Sequence, residues 1–183
     1  MIKKIISDHI DTATNLLNHT DLIEEICSLS LATIQQGNTI LFCGNGGSAS
    51  DSIHISSELV GKFEKVRTAL PSLSLSSNPS NLTAIANDFG FEHIFSRQIE
   101  ALGKKGDLLI AISTSGNSTN IINAIECGIT KGLNVVAFTG KNGGKINDID
   151  CIKLKIPSKN VARIQEAHIL VGHIISKYIE ENI

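Results

Sequence analysis

Leu41-Phe-Cys-Gly-Asn-Gly-Gly-Ser-Ala-Ser-Asp-Ser-Ile-His-Ile-Ser-Ser-Glu-Leu-Val-Gly61 joins an apolar segment, a glycine turn and a polar-studded segment without a break. It reads as strand, loop and helix. Gly44, Gly46 and Gly47 permit a tight turn and a close backbone approach to a ligand, because no Cβ stands in the way. A helix opening near Ser48 aims free N–H groups at the same point, which suits an anionic or polyhydroxy ligand. His54 and Glu58 stand four apart and project from one helix face, while Ile53, Leu59, Val60 and Phe63 are left to pack elsewhere. An isolated HxxxE pair reads as a solvated face; the glycine loop ahead of this one makes both residues site candidates.

Upstream, Ile2, Ile5, Ile6, Ile10, Ala13, Leu16 and Leu17 recur at helical spacing and predict an amphipathic helix over 2–18, whose apolar stripe could face a partner subunit. Asp21 with Glu24 matches a capping box ahead of Leu22, Ile23, Ile26, Leu29 and Ile34, a second helix ended by Gly37. Thr39–Cys43 is the buried strand that enters the glycine loop. Downstream, Ser72–Leu75 reads as a short strand, and the cluster at 76–81 breaks the chain before a helical Leu82–Ala86. Asn87-Asp88-Phe89-Gly90 then makes a polar break that could face the site. Phe91, Ile94, Phe95, Ile99 and Leu102 are helically spaced.

Leu108–Ile112 is an uninterrupted apolar run, as a central parallel strand requires, and Ser113–Ser118 leads from it into a helix over Thr119–Lys131. Val135–Thr139 is another buried strand, closed by Gly140 and a Gly143-Gly144 turn. Ile152, Leu154 and Ile156 alternate with Lys153 and Lys155, as on an edge strand. A long apolar helix over 160–182 carries Arg163, Gln165, Glu166, His168 and His173. Strands alternating with helices imply an α/β fold with a doubly wound, five-stranded parallel sheet, in which ligands bind outside the carboxyl ends of the strands. The 44–48 and 113–118 loops then share one rim. All 183 residues read as a single domain, N-terminal helices over 1–36 and an α/β core over 38–183.

A net charge of -2, a single Tyr and no Trp leave neither a basic footprint nor stacking platforms for nucleic acid. Cys27, Cys43, Cys127 and Cys151 form no CxxC pair and read as reduced, structural thiols of a cytoplasmic protein. No signal-peptide core follows Lys3 and Lys4, and no run approaches the roughly 18 apolar residues of a membrane span.

Ser113, Thr114, Ser115 and Ser118, with Gly116 between them, fit a phosphate cradle of hydroxyls and helix-end N–H groups; an ordinary Ser/Thr N-cap is the plainer alternative. No Walker lysine follows, so no nucleotide cofactor is indicated. Alone, His168 and His173 would be core histidines, and His9, His19 and His93 surface residues. Gln165 and His173 point to roughly one side of their helix. Together His54, Glu58, Gln165 and His173 could make a four-ligand zinc site; without metal, Glu58 and a histidine make an acid/base pair, the carboxylate for a carbon-bound proton and the imidazole for an oxygen-bound one.

CGNGGSASD, HISSELVGKF, NDFGF, ISTSGNS, FTGKNGG and RIQEAHILVGH, spread over nearly the whole chain, resemble the sugar isomerase (SIS) domain family, and most closely its phosphoheptose isomerases. The resemblance implies interconversion of sedoheptulose 7-phosphate and glycero-manno-heptose 7-phosphate through an enediol, feeding nucleotide-activated heptose synthesis for lipopolysaccharide or capsule. It implies substrate contacts at Asn45, Gly46, Gly47, Glu58, Asn87, Asp88 and Gln165, and phosphate contacts at Ser113, Thr114, Ser115 and Ser118. It makes Glu58 the base and His173 its acid/base partner, with zinc on His54, Glu58, Gln165 and His173, in a homotetramer packed through the N-terminal helices. Lys62, where relatives often have Arg, and the 64–70 segment depart from the pattern. The alternatives are a non-enzymatic SIS regulator that binds a replication initiator protein, and an isomerase for another phosphosugar.

Overall fold

A computed structural model describes residues 1–183. At its centre five strands, β1 (Ile40–Gly44), β2 (Ser72–Ser74), β3 (Leu108–Ser113), β4 (Asn134–Gly140) and β5 (Ile152–Ile156), form one sheet in the order β2-β1-β3-β4-β5. All its pairings are parallel. β1, β3 and β4 bury nearly every residue, whereas β5 alternates partly exposed lysines with buried Leu154 and Ile156 as an edge should. The order reverses between β1 and β3, so the loops leaving these two strands flank the switch point of a doubly wound sheet.

Helices cover both faces, and alternate strand residues sort between them. Phe42, Ile110 and Phe138 pack with Ile55 and Leu59 of α3 (Gly47–Val60), with Ile26 of α2 (Thr20–Gln35) and with Val171 and Ile175 of α7 (Val161–Asn182). Leu41, Leu109 and Ala137 pack with Ile99 of α5 (Ser96–Leu102) and with Ile121 and Ile125 of α6 (Thr119–Thr130). α1 (Ile2–Asn15) lies on α7, where the Arg163 guanidinium donates to the Ile5 carbonyl at 3.2 Å. His9 is exposed, as a surface histidine should be, but it is not idle: its Nδ1 lies 2.7 Å from Glu166 Oε2.

Several local expectations need correction. The first helix ends at Asn15, and a 3₁₀ turn over Leu16–His19 feeds directly into α2. Asp21 therefore sits inside the first turn, where its charge faces the helix dipole, and no side chain caps that helix. The 76–81 cluster starts a helix sooner than expected: Asn78 accepts hydrogen bonds from the Ser80 and Asn81 N–H groups and Pro79 takes the first position of α4 (Pro79–Phe89). Asn87 and Asp88 thus belong to the last turn of α4; the chain breaks only at Gly90, whose φ is +97°. Phe91–His93 is a 3₁₀ turn preceding α5, and the two do not form one helix.

The four cysteines are free, and burial pushes the Cys43 thiol up to about 12 and, with a smaller contribution from Glu24, that of Cys27 to about 11, so neither is a nucleophile near neutral pH. No helix is long and apolar enough to cross a membrane.

His168 is fully buried, with Nε2 3.3 Å from the Thr139 carbonyl and a bare Nδ1. Burial pulls its pKa down from 6.5 to about 4, against the smaller opposing effect of that hydrogen bond. Between those two values the unfolded chain binds a proton that the folded chain refuses, so His168 contributes stability above pH 6.5 that is lost as pH falls toward 4. Melting temperature measured across this window should fall less steeply for His168→Gln than for the wild type. Parallel curves would show that His168 takes up its proton alike in the folded and the unfolded chain.

Candidate active site

Two helices, α3 and α7, carry the candidate residues, and small residues let them approach. Gly172 sits in the middle of α7 although glycine costs a helix interior about 1 kcal/mol relative to alanine. A Cβ at that position would overlap the Ile55 side chain of α3. The close crossing brings His173 beside residues 54 and 58, so the three side chains meet within one chain. His54 Nε2 and Glu58 Oε1 are 3.0 Å apart, and the His54 and His173 rings meet edge to face at 5.1 Å. Phe63 tilts against the other side of His173 at 5.5 Å.

One ligating atom from each of His54, Glu58 and His173 lies within 4.8 Å of the others. Two imidazole nitrogens and a carboxylate oxygen, half exposed to partly buried, are the donor types and spacing that a zinc-like cation takes. This His/Glu/His group therefore fits a metal ion. Gln165 lies at another point of α7: its amide packs against Gly47, where a Cβ would overlap it. Eight residues separate it from His173, roughly 12 Å of helix rise.

Asp51, one turn before His54, was not singled out from sequence. Burial lifts its carboxyl to about 6, only partly countered by His54, and its Oδ2 has no hydrogen-bond partner.

The second candidate loop leads from β3 into α6. Ser118 occupies the N-cap of α6, but its hydroxyl accepts from Ser113 at 3.1 Å and caps no helix N–H. That removes the plainer N-cap explanation and leaves the first N–H groups of α6 without a side-chain cap. The Asn117 N–H donates to Ser115 Oγ at 3.1 Å, and the Lys145 N–H donates to Asn117 Oδ1 at 3.0 Å. Gly116 at φ +66° lies so close to the Gly143 carbonyl that no Cβ fits, which explains the glycines in FTGKNGG: they back the loop.

Asn120, also unpredicted, ties the two loops together. Its amide and that of Asn45 exchange hydrogen bonds of 2.8 and 2.9 Å. One N–H and one acceptor site on each amide remain for a ligand. Asn45, Ser118, Thr119 and Asn120 line a cleft of about 480 Å³ with Phe91 and Glu92. Thr114 and Ser115 line a second one of about 320 Å³ with Lys141 and Lys159. Gly46, at φ +55°, precedes the first turn of α3 as expected. Asn87 and Asp88 are exposed, and their side chains bond to each other at 2.7 Å and make no hydrogen bond to the residues above.

A family model described as the SIS domain matches residues 8–140. The phosphoheptose isomerase of Aneurinibacillus thermoaerophilus is 51% identical over 162 residues, 88% of this chain and 82% of that protein. That of Aliarcobacter butzleri (strain RM4018) is 43% identical over 183 residues, 100% of this chain and 97% of its own. The solved structure of a phosphoheptose isomerase from Neisseria gonorrhoeae superposes with a TM-score of 0.87 at 36% identity, covering 99% of this chain and 100% of that one.

Proposed function

The chain belongs to the SIS domain family, and on that premise we propose that it is a phosphoheptose isomerase, interconverting sedoheptulose 7-phosphate and glycero-manno-heptose 7-phosphate. The observation that carries this is the meeting of Glu58 and His173 on two different helices, in a chain whose 113–118 strand-exit loop leaves the first N–H groups of α6 without a side-chain cap. The sugar phosphate is held at 113–118, by the Ser113, Thr114, Ser115 and Ser118 loop, and Asn45 with the Gly46-Gly47 backbone and Gln165 orients the hydroxyls. Asn87 and Asp88 would add contacts from the end of α4.

In the ketose-to-aldose direction the Glu58 carboxylate removes a proton from C1, exchanges it with solvent and delivers a proton to C2. His173 moves the oxygen-bound proton, taking it from the C1 hydroxyl and supplying the C2 oxygen, so a cis-enediol forms and collapses without gain or loss of atoms. Zinc held by His54, Glu58 and His173 would supply Lewis-acid polarisation of the carbonyl; Gln165 would join as a fourth donor only by leaving its contact with Gly47.

A homotetramer suits the surface: Ile2, Ile6, Ile10 and Leu17 are more than half exposed, and an apolar groove of about 380 Å³ runs between Ala13, Leu16, Ile23 and Ile174. We place the protein in the cytoplasm, where reduced cysteines persist, supplying nucleotide-activated heptose for surface polysaccharide.

Turnover of sedoheptulose 7-phosphate in deuterated water is the test. The aldose formed should carry deuterium at C2. Product without label even at long times would replace proton transfer by a hydride shift, and no turnover would move the assignment to another phosphosugar.

A further inference from the structure

Arg67 and Glu180 are an interior ion pair that the chemistry above does not use. Their side chains are only 9% and 1% exposed. A buried pair is seldom a net source of stability, since desolvation offsets its attraction. Its geometry gives it another purpose. Arg67 Nη2 donates to the Glu58 carbonyl at 2.7 Å, and Nη1 donates to those of Leu59 at 2.8 Å and Thr68 at 3.0 Å. The first two belong to the end of α3, where carbonyls have no partner within the helix. From α7, the Glu180 carboxylate accepts from the Phe63, Glu64 and Lys65 N–H groups at 3.2, 2.8 and 2.8 Å. Arg67 Nε approaches Glu180 Oε1 at 3.4 Å, a charge contact without hydrogen-bond geometry. Burial would raise the Glu180 pKa, yet these N–H groups and the guanidinium hold it below the ordinary carboxylate value.

The guanidinium thus grips the last turn of α3, which carries Glu58. The carboxylate grips the turn that follows, which sets Phe63 against His173. Glu180 stands seven residues beyond His173 on the same helix, roughly 10 Å along it. Helix ends fray most readily, and a base displaced by about 1 Å can lose about a hundredfold in rate. We infer that Arg67 and Glu180 are positioning residues, which clamp the end of α3 to α7 and so fix the Glu58 carboxylate against His173; this deepens the isomerase assignment and rests on it.

Arg67→Lys tests it, because lysine keeps the charge opposite Glu180 but cannot span two carbonyls. The variant should stay folded by circular dichroism, with kcat lowered about ten- to a hundredfold and KM changed by less than about threefold. Titrated with Co²⁺ and followed by visible absorption, it should bind about tenfold more weakly than wild type, as when a group supporting metal ligands is lost. Glu180→Gln should move both readouts the same way. Wild-type kcat in folded Arg67→Lys overturns the inference. So does a loss that disappears at low temperature, where a merely destabilised variant is fully folded. A wild type inert on phosphosugars would sink the isomerase assignment instead, and the Co²⁺ titration then decides positioning alone: equal affinities, or no Co²⁺ binding by either protein, overturn it.

Discussion

Glu58→Gln is expected to lower kcat by about two to four orders of magnitude while the protein stays folded. Glutamine matches glutamate in size and can still accept from His54 at the 3.0 Å contact, so packing between α3 and α7 is kept. What disappears is the base that would move hydrogen between C1 and C2. A regulator that binds a protein partner through this fold would not notice the change, which makes the substitution the sharpest divide between enzyme and adaptor. Glu58 also belongs to the group that fits a metal, and a carboxylate locked to a cation is a weaker base. Metal content and kcat measured on the same Glu58→Gln preparation separate the two roles. Loss of activity with chelator-treated wild type still active assigns the residue to proton transfer; metal loss and activity loss together in both proteins assign it to the ion. An unchanged kcat would end the catalytic assignment.

The fold was largely legible because its signals are local. Each buried strand is an apolar run, and the loops at 44–48 and 113–118 leave β1 and β3 at the switch point that alternation alone implies. The His54–Glu58 spacing is likewise a helix period. What stayed hidden depends on contacts distant in sequence. Nothing about Asn120, one residue inside α6, announces its exchange with Asn45, and nothing in Gly172 names Ile55 as the neighbour that excludes a Cβ. Nothing in the sequence marks Arg67 and Glu180 as a buried ionic pair, because burial of a charge leaves no local pattern. The Asn87-Asp88 pair misled for the opposite reason. Both are turn-prone residues, yet the Asn78 cap and Pro79 start α4 firmly enough to carry the helix through them.

Gly116→Ala should cost the phosphate loop more than removal of any one hydroxyl. Ser115→Ala deletes a single hydrogen-bonding group from an exposed position, a loss of about 1 kcal/mol that would raise KM roughly fivefold with little change in kcat. Gly116 is a backbone requirement. Its φ of +66° costs an L-residue about 1–2 kcal/mol, and a new Cβ would meet the Gly143 carbonyl and the Gly144 N–H, which are backbone and cannot swing aside. The 113–118 loop must then lift from the 140–144 turn, breaking the Ile146 N–H to Gly116 carbonyl bond of 3.1 Å that docks it. Donors aimed at one phosphate would lose their common focus. We expect kcat/KM to fall by about a hundredfold or more, mostly through KM, because phosphate binding is uniform across the steps of the reaction. The helices pack elsewhere, so circular dichroism should remain that of the wild type. A KM near the wild-type value would mean that the phosphate is held by something other than this loop.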